Sequence, residues 1–140
     1  MPFENPTDET IAELLRQVHT VAVVGLSPKP NRPSHSVAAW LQRTGYRVVP
    51  VRPALDEVLG ERAWPDLASV PDPIDLVDVF RVPEHVDSIV DSCIARGIKA
   101  LWLQEGVVNP AAAERARAAG ITVVMDRCIL KEHARLISAG

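Results

Sequence analysis

The sequence predicts an α/β domain of three layers, an open parallel five-stranded sheet with helices on both faces. Short, continuous apolar runs alternate with segments of helical period, and glycines and prolines punctuate the joins. Composition agrees. A chain of 140 residues has the length of one ordinary domain, and 47% hydrophobic against 24% charged residues supplies one well-filled core. The expected organisation is a single domain over 1–140, with a helix at 7–18, a core at 20–126 and a closing helix at 129–137.

Each element has a local reason. An amphipathic helix at 7–18 precedes the first strand. The apolar runs at 20–25 (TVAVVG), 47–51 (RVVPV), 75–80 (DLVDVF), 100–103 (ALWL) and 121–125 (ITVVM) read as strands buried on both faces. Helical segments at 34–44, 83–96 and 109–119 end at Gly45, Gly97 and Gly120. Pro83 and Pro110 fall in first turns, where a missing N–H costs nothing, and Glu84 and Asn109 add favourable N-terminal chemistry. The stretch 54–73 is rich in Pro, Asp and Gly and reads as a long connection with room for a short helix. The last segment, 129–137, closes the fold as a helix. Strands joined by right-handed crossovers place a ligand beyond their C-terminal ends, where strand order reverses.

Charge narrows the function classes. The net charge is −3, yet residues 14–55 hold no Asp or Glu and carry Arg16, Lys29, Arg32, Arg43, Arg47 and Arg52. That asymmetry is either chance or an anion-binding region on an otherwise acidic protein; it is not the broadly basic surface that nucleic acid selects. No apolar run approaches the ~20 residues of a membrane span. The polar, acidic start MPFENPTDET does not read as a signal peptide, so the expected location is the cytoplasm. Cys93 and Cys128 show neither zinc spacing nor the density of a disulfide scaffold and read as free thiols. His19, His35, His85 and His133 show no metal spacing.

The main candidate site is the turn from Gly25 to Ser34, which follows the first strand and leads into a helix. Glycine at a strand end lets backbone amides approach a phosphate, the helix N-terminus adds partial positive charge, and Ser27, Lys29 and Arg32 add donors. The turn matches neither the P-loop nor the dinucleotide fingerprint, which needs glycine where Ser27 stands. After the second strand, where an NAD-binding domain places an acid on the ribose, stands Arg52 followed by Pro53. Arg52 reads equally as a holder of a ribose phosphate or as an incidental solvated arginine.

Val21 to Ser34 (VAVVGLSPKPNRPS), Gly45 to Val51 (GYRVVPV), Asp78 to Arg81 (DVFR), Leu101 to Gly106 (LWLQEG) and Met125 to Cys128 (MDRC) together resemble a known family. It is that of the small bacterial CoA-binding proteins, Rossmann-like domains similar to the CoA-binding domain of succinyl-CoA synthetase alpha subunits. The resemblance covers nearly the whole chain in order. It implies coenzyme A across the strand ends, with the diphosphate on the turn of Gly25, Leu26 and Ser27. The nucleotide would lie near Arg52, Pro53 and the loop of Phe80, Arg81 and Val82, with Gln104, Glu105 and Gly106 across the crevice. One departure is Arg52-Pro53, where many relatives have asparagine-proline.

The remaining chemistry-bearing residues are sparse. Asp126, Arg127, Cys128, Glu132 and His133 gather nucleophile, acid and base types. They read more simply as structural ion pairs of Asp126 and Arg127 beside a Cys128 packed inside. Trp40, Trp64 and Trp102 read as core. The expectation is a non-catalytic module for CoA or acyl-CoA acting as carrier, sensor or partner of another protein, with no metal. The competing reading is an NAD(P)-dependent oxidoreductase or a redox-sensing nucleotide-binding domain.

Overall fold

The protein is described by a computed structural model covering residues 3–138. The first helix, α1 (Asp8–Gln17), starts at Thr7, whose hydroxyl accepts from Thr10 N at 3.2 Å. It leads into β1 (Thr20–Val24), α2 (Pro33–Thr44) and β2 (Arg47–Val51). Next come two short strands, β3 (Glu57–Val58) and β4 (Glu61–Arg62), before β5 (Leu76–Val79) and α3 (Val86–Arg96). The chain ends with β6 (Ala100–Leu103), α4 (Pro110–Ala118), β7 (Thr122–Met125) and α5 (Ile129–His133).

Five parallel strands form the sheet in the order β2-β1-β5-β6-β7, so the strand order reverses between β1 and β5. Pleating divides the core into two layers. Ala22, Val24, Val77, Val79, Leu101 and Leu103 face Val86, Val90, Cys93, Ala112 and Ala116 of α3 and α4. Val21, Val23, Val48, Leu76 and Trp102 face Ile11, Leu15, Ala38, Leu41 and Ile129 of α1, α2 and α5. The result is a three-layer, Rossmann-like α/β fold, as the alternation of apolar runs and helical periods predicts.

Departures from expectation are local. Within 54–73 the chain makes the β3–β4 hairpin, whose two-residue turn places Leu59 at φ 55° and Gly60 at φ 74°. The short helix expected there is a 3-10 turn, Leu67–Ser69, capped by Asp66, which accepts from Ser69 N at 2.8 Å. The segment 83–96 begins with a 3-10 turn at Pro83–His85, tightened by His85 N donating to Val82 O at 3.0 Å, before α3 proper. The closing helix widens after α5 into a π turn, Ala134–Ser138. Trp102 is fully buried, whereas Trp40 and Trp64 are half-buried, with Arg62 stacked 4.1 Å over the Trp64 ring.

Candidate functional site

At the reversal between β1 and β5, a crevice of about 750 Å³ opens beyond the strand ends. Its floor is set by Gly25, held at φ +87° with its N donating to Val51 O at 2.9 Å. A Cβ at Gly25 would lie 2.5 Å from Phe80 O and 2.9 Å from Arg81 Cδ, so no other residue fits between the two strand ends without moving backbone. The turn is then locked from within. Ser27 N donates to Ser34 Oγ at 3.0 Å, and Ser27 Oγ accepts from Lys29 N at 3.1 Å. Helix α2 begins immediately afterwards with Pro33 in its first turn, no side-chain cap and no acid in that turn. Its N-terminal partial charge is therefore open to an anion.

Of the sequence-predicted residues, Gly25, Ser27, Lys29, Arg32, Arg52, Phe80, Arg81, Val82, Gln104, Glu105 and Gly106 all line this crevice. Two do not. The Leu26 side chain is fully buried in the layer of α1 and α2, because an apolar residue between Gly25 and Ser27 turns toward the core. The exposed Pro53 lines a separate depression shared with Arg81 and His85. The structure also brings Pro28, Pro33, Ser34, Val37, Pro83, Val107 and Cys128 to the wall. Ser34 stands inside the motif of the turn, and Val107 directly follows Gly106 in sequence. Cys128, which its sequence context suggests is packed inside, is 8% exposed and reaches the wall from the MDRC segment after the last strand.

Electrostatics distinguish the crevice. Among the described residues Lys29, Arg32, Arg52 and Arg81 form no ion pair, while Arg47, Arg115, Arg117, Arg127, Lys131 and Arg135 each meet a carboxylate. The lining carries one acid, Glu105, and Lys131 neutralises it with bonds of 3.0 and 3.2 Å. Four unpaired cations along one rim favour an anionic ligand.

The opposite wall is neutral. Gln104 is 4% exposed, and its Oε1 accepts from Ile129 N at 3.1 Å. Gly106 N donates to Asp126 Oδ1 at 2.8 Å, with Asp126 itself held at φ 61°. Asp126 thus ties two strand ends together rather than making the ion pair expected of it. Arg127 does pair, with Glu132 at 3.1 Å. Cys128 is buried yet touches the crevice, and the other free thiol, Cys93, lies fully inside the α3 layer, where burial pushes it up to about 12. No group of three His, Cys, Asp or Glu among the described residues is placed to hold a metal ion. Nor is any described helix long and apolar enough to cross a membrane.

One polar group lies beneath the site without a partner. Asp78, at the centre of β5 between Val23 and Trp102, is fully buried, and neither carboxylate oxygen has a hydrogen bond among the described residues. Burial holds this carboxyl well above the ordinary carboxylate range. Nothing in its sequence context marks it as unpaired.

Known proteins share the sequence and the fold of this chain. Over 132 residues the chain is 39% identical to the protein YneT of Bacillus subtilis (strain 168), covering 94% of this chain and 98% of that one. A solved structure of a hypothetical protein from Pyrococcus horikoshii OT3 superposes with a TM-score of 0.92 at 39% identity, covering 98% of this chain and 96% of that one. A more distant match, 28% identical over 96 residues, is to the ADP-forming acetate–CoA ligase II of Archaeoglobus fulgidus; it covers 66% of this chain and 14% of the ligase. Residues 19–134 match the CoA binding domain family, and the chain belongs to that family.

Proposed function

We propose that the crevice binds coenzyme A or an acyl-CoA, and that the protein is a non-catalytic carrier, sensor or partner module working in the cytoplasm. The observation that carries this reading is the row of four unpaired cations beside the Gly25 turn and the uncapped start of α2. CoA presents a diphosphate and a ribose 3′-phosphate. In this reading the diphosphate meets the Ser27 amide region, Lys29 and Arg32, and the nucleotide lies by Arg52 and Arg81. The pantetheine arm runs toward Gln104 and Val107. A volume of about 750 Å³ suits a ligand of this size.

Two features weigh against a nicotinamide dinucleotide: Ser27 stands where the close-approach glycine would be, and Arg52 where the ribose acid would be. Two weigh against catalysis. No hydrogen bond joins Cys128 to a general base among the described residues, and Glu105 is spent on Lys131. The test is thermal melting with CoA, NAD and NADP at equal concentration. A ligand at a hundred times its Kd stabilises the fold by about 2.7 kcal/mol, so CoA raises Tm and the dinucleotides do not. A shift with NAD and none with CoA reverses the assignment.

A further inference from the structure

The crevice is graded in polarity along the sheet. Arg52 follows β2 at one edge, Lys29 and Arg32 follow β1, Gln104 and Val107 follow β6, and Cys128 follows β7 at the other edge. Four strand spacings separate the two extremes, roughly 19 Å at ~4.8 Å each. The cationic end suits phosphates. The neutral end holds a thiol, an apolar Val107 and one side-chain amide.

That amide is an independent pointer to a ligand. Gln104 is 4% exposed and lines the crevice, its Oε1 is taken by Ile129 N, and its Nε2 has no protein acceptor among the described residues. The donor opens onto the crevice, where an incoming carbonyl would accept from it. Because Gln104 is fastened to the residue that follows Cys128, the free donor and the thiol share one wall. Lys131, held by Glu105, lies within electrostatic range of the Cys128 sulfur.

Building on the ligand reading above, we propose that Cys128 is a thiol-exchange site at which this protein forms a mixed disulfide with CoA. The co-reactant is CoA disulfide. The Cys128 thiolate, its proton released to solvent, attacks one sulfur of that disulfide. A Cys128–CoA S–S bond forms as the reagent's S–S bond breaks, and the departing CoA carries the electron pair away and is protonated by water. One disulfide is consumed and one is made, so no further oxidant enters. Cys93, sealed in the opposite core layer, takes no part.

The test pairs calorimetry of reduced CoA with intact-mass kinetics of the reduced protein exposed to CoA disulfide or oxidised glutathione. Anchoring by the nucleotide raises the local concentration of the reagent's sulfur, so CoA disulfide labels at least about tenfold faster than glutathione disulfide at equal concentration. Peptide mapping of the wild-type protein places the adduct on Cys128, and dithiothreitol removes it. Cys93→Ser labels like wild type, and Cys128→Ser, checked for native melting, does not label. Adenosine 3′,5′-bisphosphate slows the reaction. Binding of CoA without labelling, labelling of Cys93, or equal rates for the two disulfides overturns this proposal alone. Absence of CoA binding overturns the ligand reading and this proposal with it.

Discussion

The two ends of the sheet use the same residue types in opposite ways. At the N-terminal edge, Asp75 accepts from the His19 and Thr20 amides at 3.0 and 2.9 Å, and Arg47 meets Asp72 at 2.6 Å. Arg96 there donates to the carbonyls of Leu67, Val70 and Asp72 at 2.7, 2.6 and 3.0 Å. Charge at that edge is consumed by the fold. At the C-terminal edge, among the described residues, Lys29, Arg32, Arg52 and Arg81 meet no carboxylate, the first turn of α2 carries no acid, and Gln104 keeps a free donor. Cations kept close together without partners repel one another, so they gain most when an anion joins them. The contrast teaches where to look for function: at the edge where the protein leaves its own polar groups unsatisfied.

The largest effect should come from glycines at the two edges. Gly25→Val must push Phe80 O from 2.5 Å and adopt φ +87°; it is expected to abolish CoA binding and destabilise by roughly 3 kcal/mol. Gly45, at the other edge, has φ +113° with nothing near its Cβ position, so Gly45→Ala should cost only about 1 kcal/mol and leave binding intact. Urea unfolding and calorimetry of both variants decide this, and equal behaviour breaks the comparison.

Next in size is a pH effect beneath the crevice. Burial raises the Asp78 carboxyl well above its ordinary range in the fold, whereas it ionises near 3.9 in the unfolded chain. Its folded pKa is raised, so its contribution is fully present below the unfolded value and is lost as pH rises, at about 1.4 kcal/mol per unit, until the folded value is passed. Asp78→Asn lacks this titration. Its stability relative to wild type, from urea melts between about pH 4 and 7, should therefore improve with rising pH. A gap independent of pH would show that Asp78 is solvated or paired. The exposed Asp8, Asp66 and Glu114, each held below its ordinary range by hydrogen bonds, titrate alike in both proteins and cancel.

Smaller still is the loss of one phosphate contact. Arg52→Ala should weaken CoA by about 1.5–3 kcal/mol, roughly tenfold to a hundredfold, and leave dephospho-CoA nearly unchanged. Equal losses for the two ligands would detach Arg52 from the 3′-phosphate. The smallest effect belongs to Arg47→Ala, which breaks a half-exposed pair with Asp72. It should cost less than ~1 kcal/mol of stability and nothing in CoA affinity.

The strands were legible because parallel strands covered on both faces are apolar at every position, as TVAVV and ALWL show. The β3–β4 hairpin was not, since two-residue strands have no period and its turn puts Leu59, a residue without turn chemistry, at positive φ. In the site, the Gly25 turn was legible from glycine, serine and lysine ahead of a helix. Leu26 and Pro53 adjoin crevice residues in sequence, but adjacency along the chain does not say which way a side chain turns. Partnership was the least legible property. That Asp75 caps two amides and Asp78 caps none, or that Arg47 is paired and Arg52 is not, depends on residues far away in sequence.

The central claim is that coenzyme A occupies the C-terminal edge and leaves the other untouched. An amide-resolved NMR titration with CoA tests it in one measurement. The amides of Gly25, Ser27, Ser34 and Gly106 should shift strongly and saturably, while those of Gly45, Gly97 and Gly120 stay in place. No shift at any of the first four, or a shift confined to the second group, would contradict it.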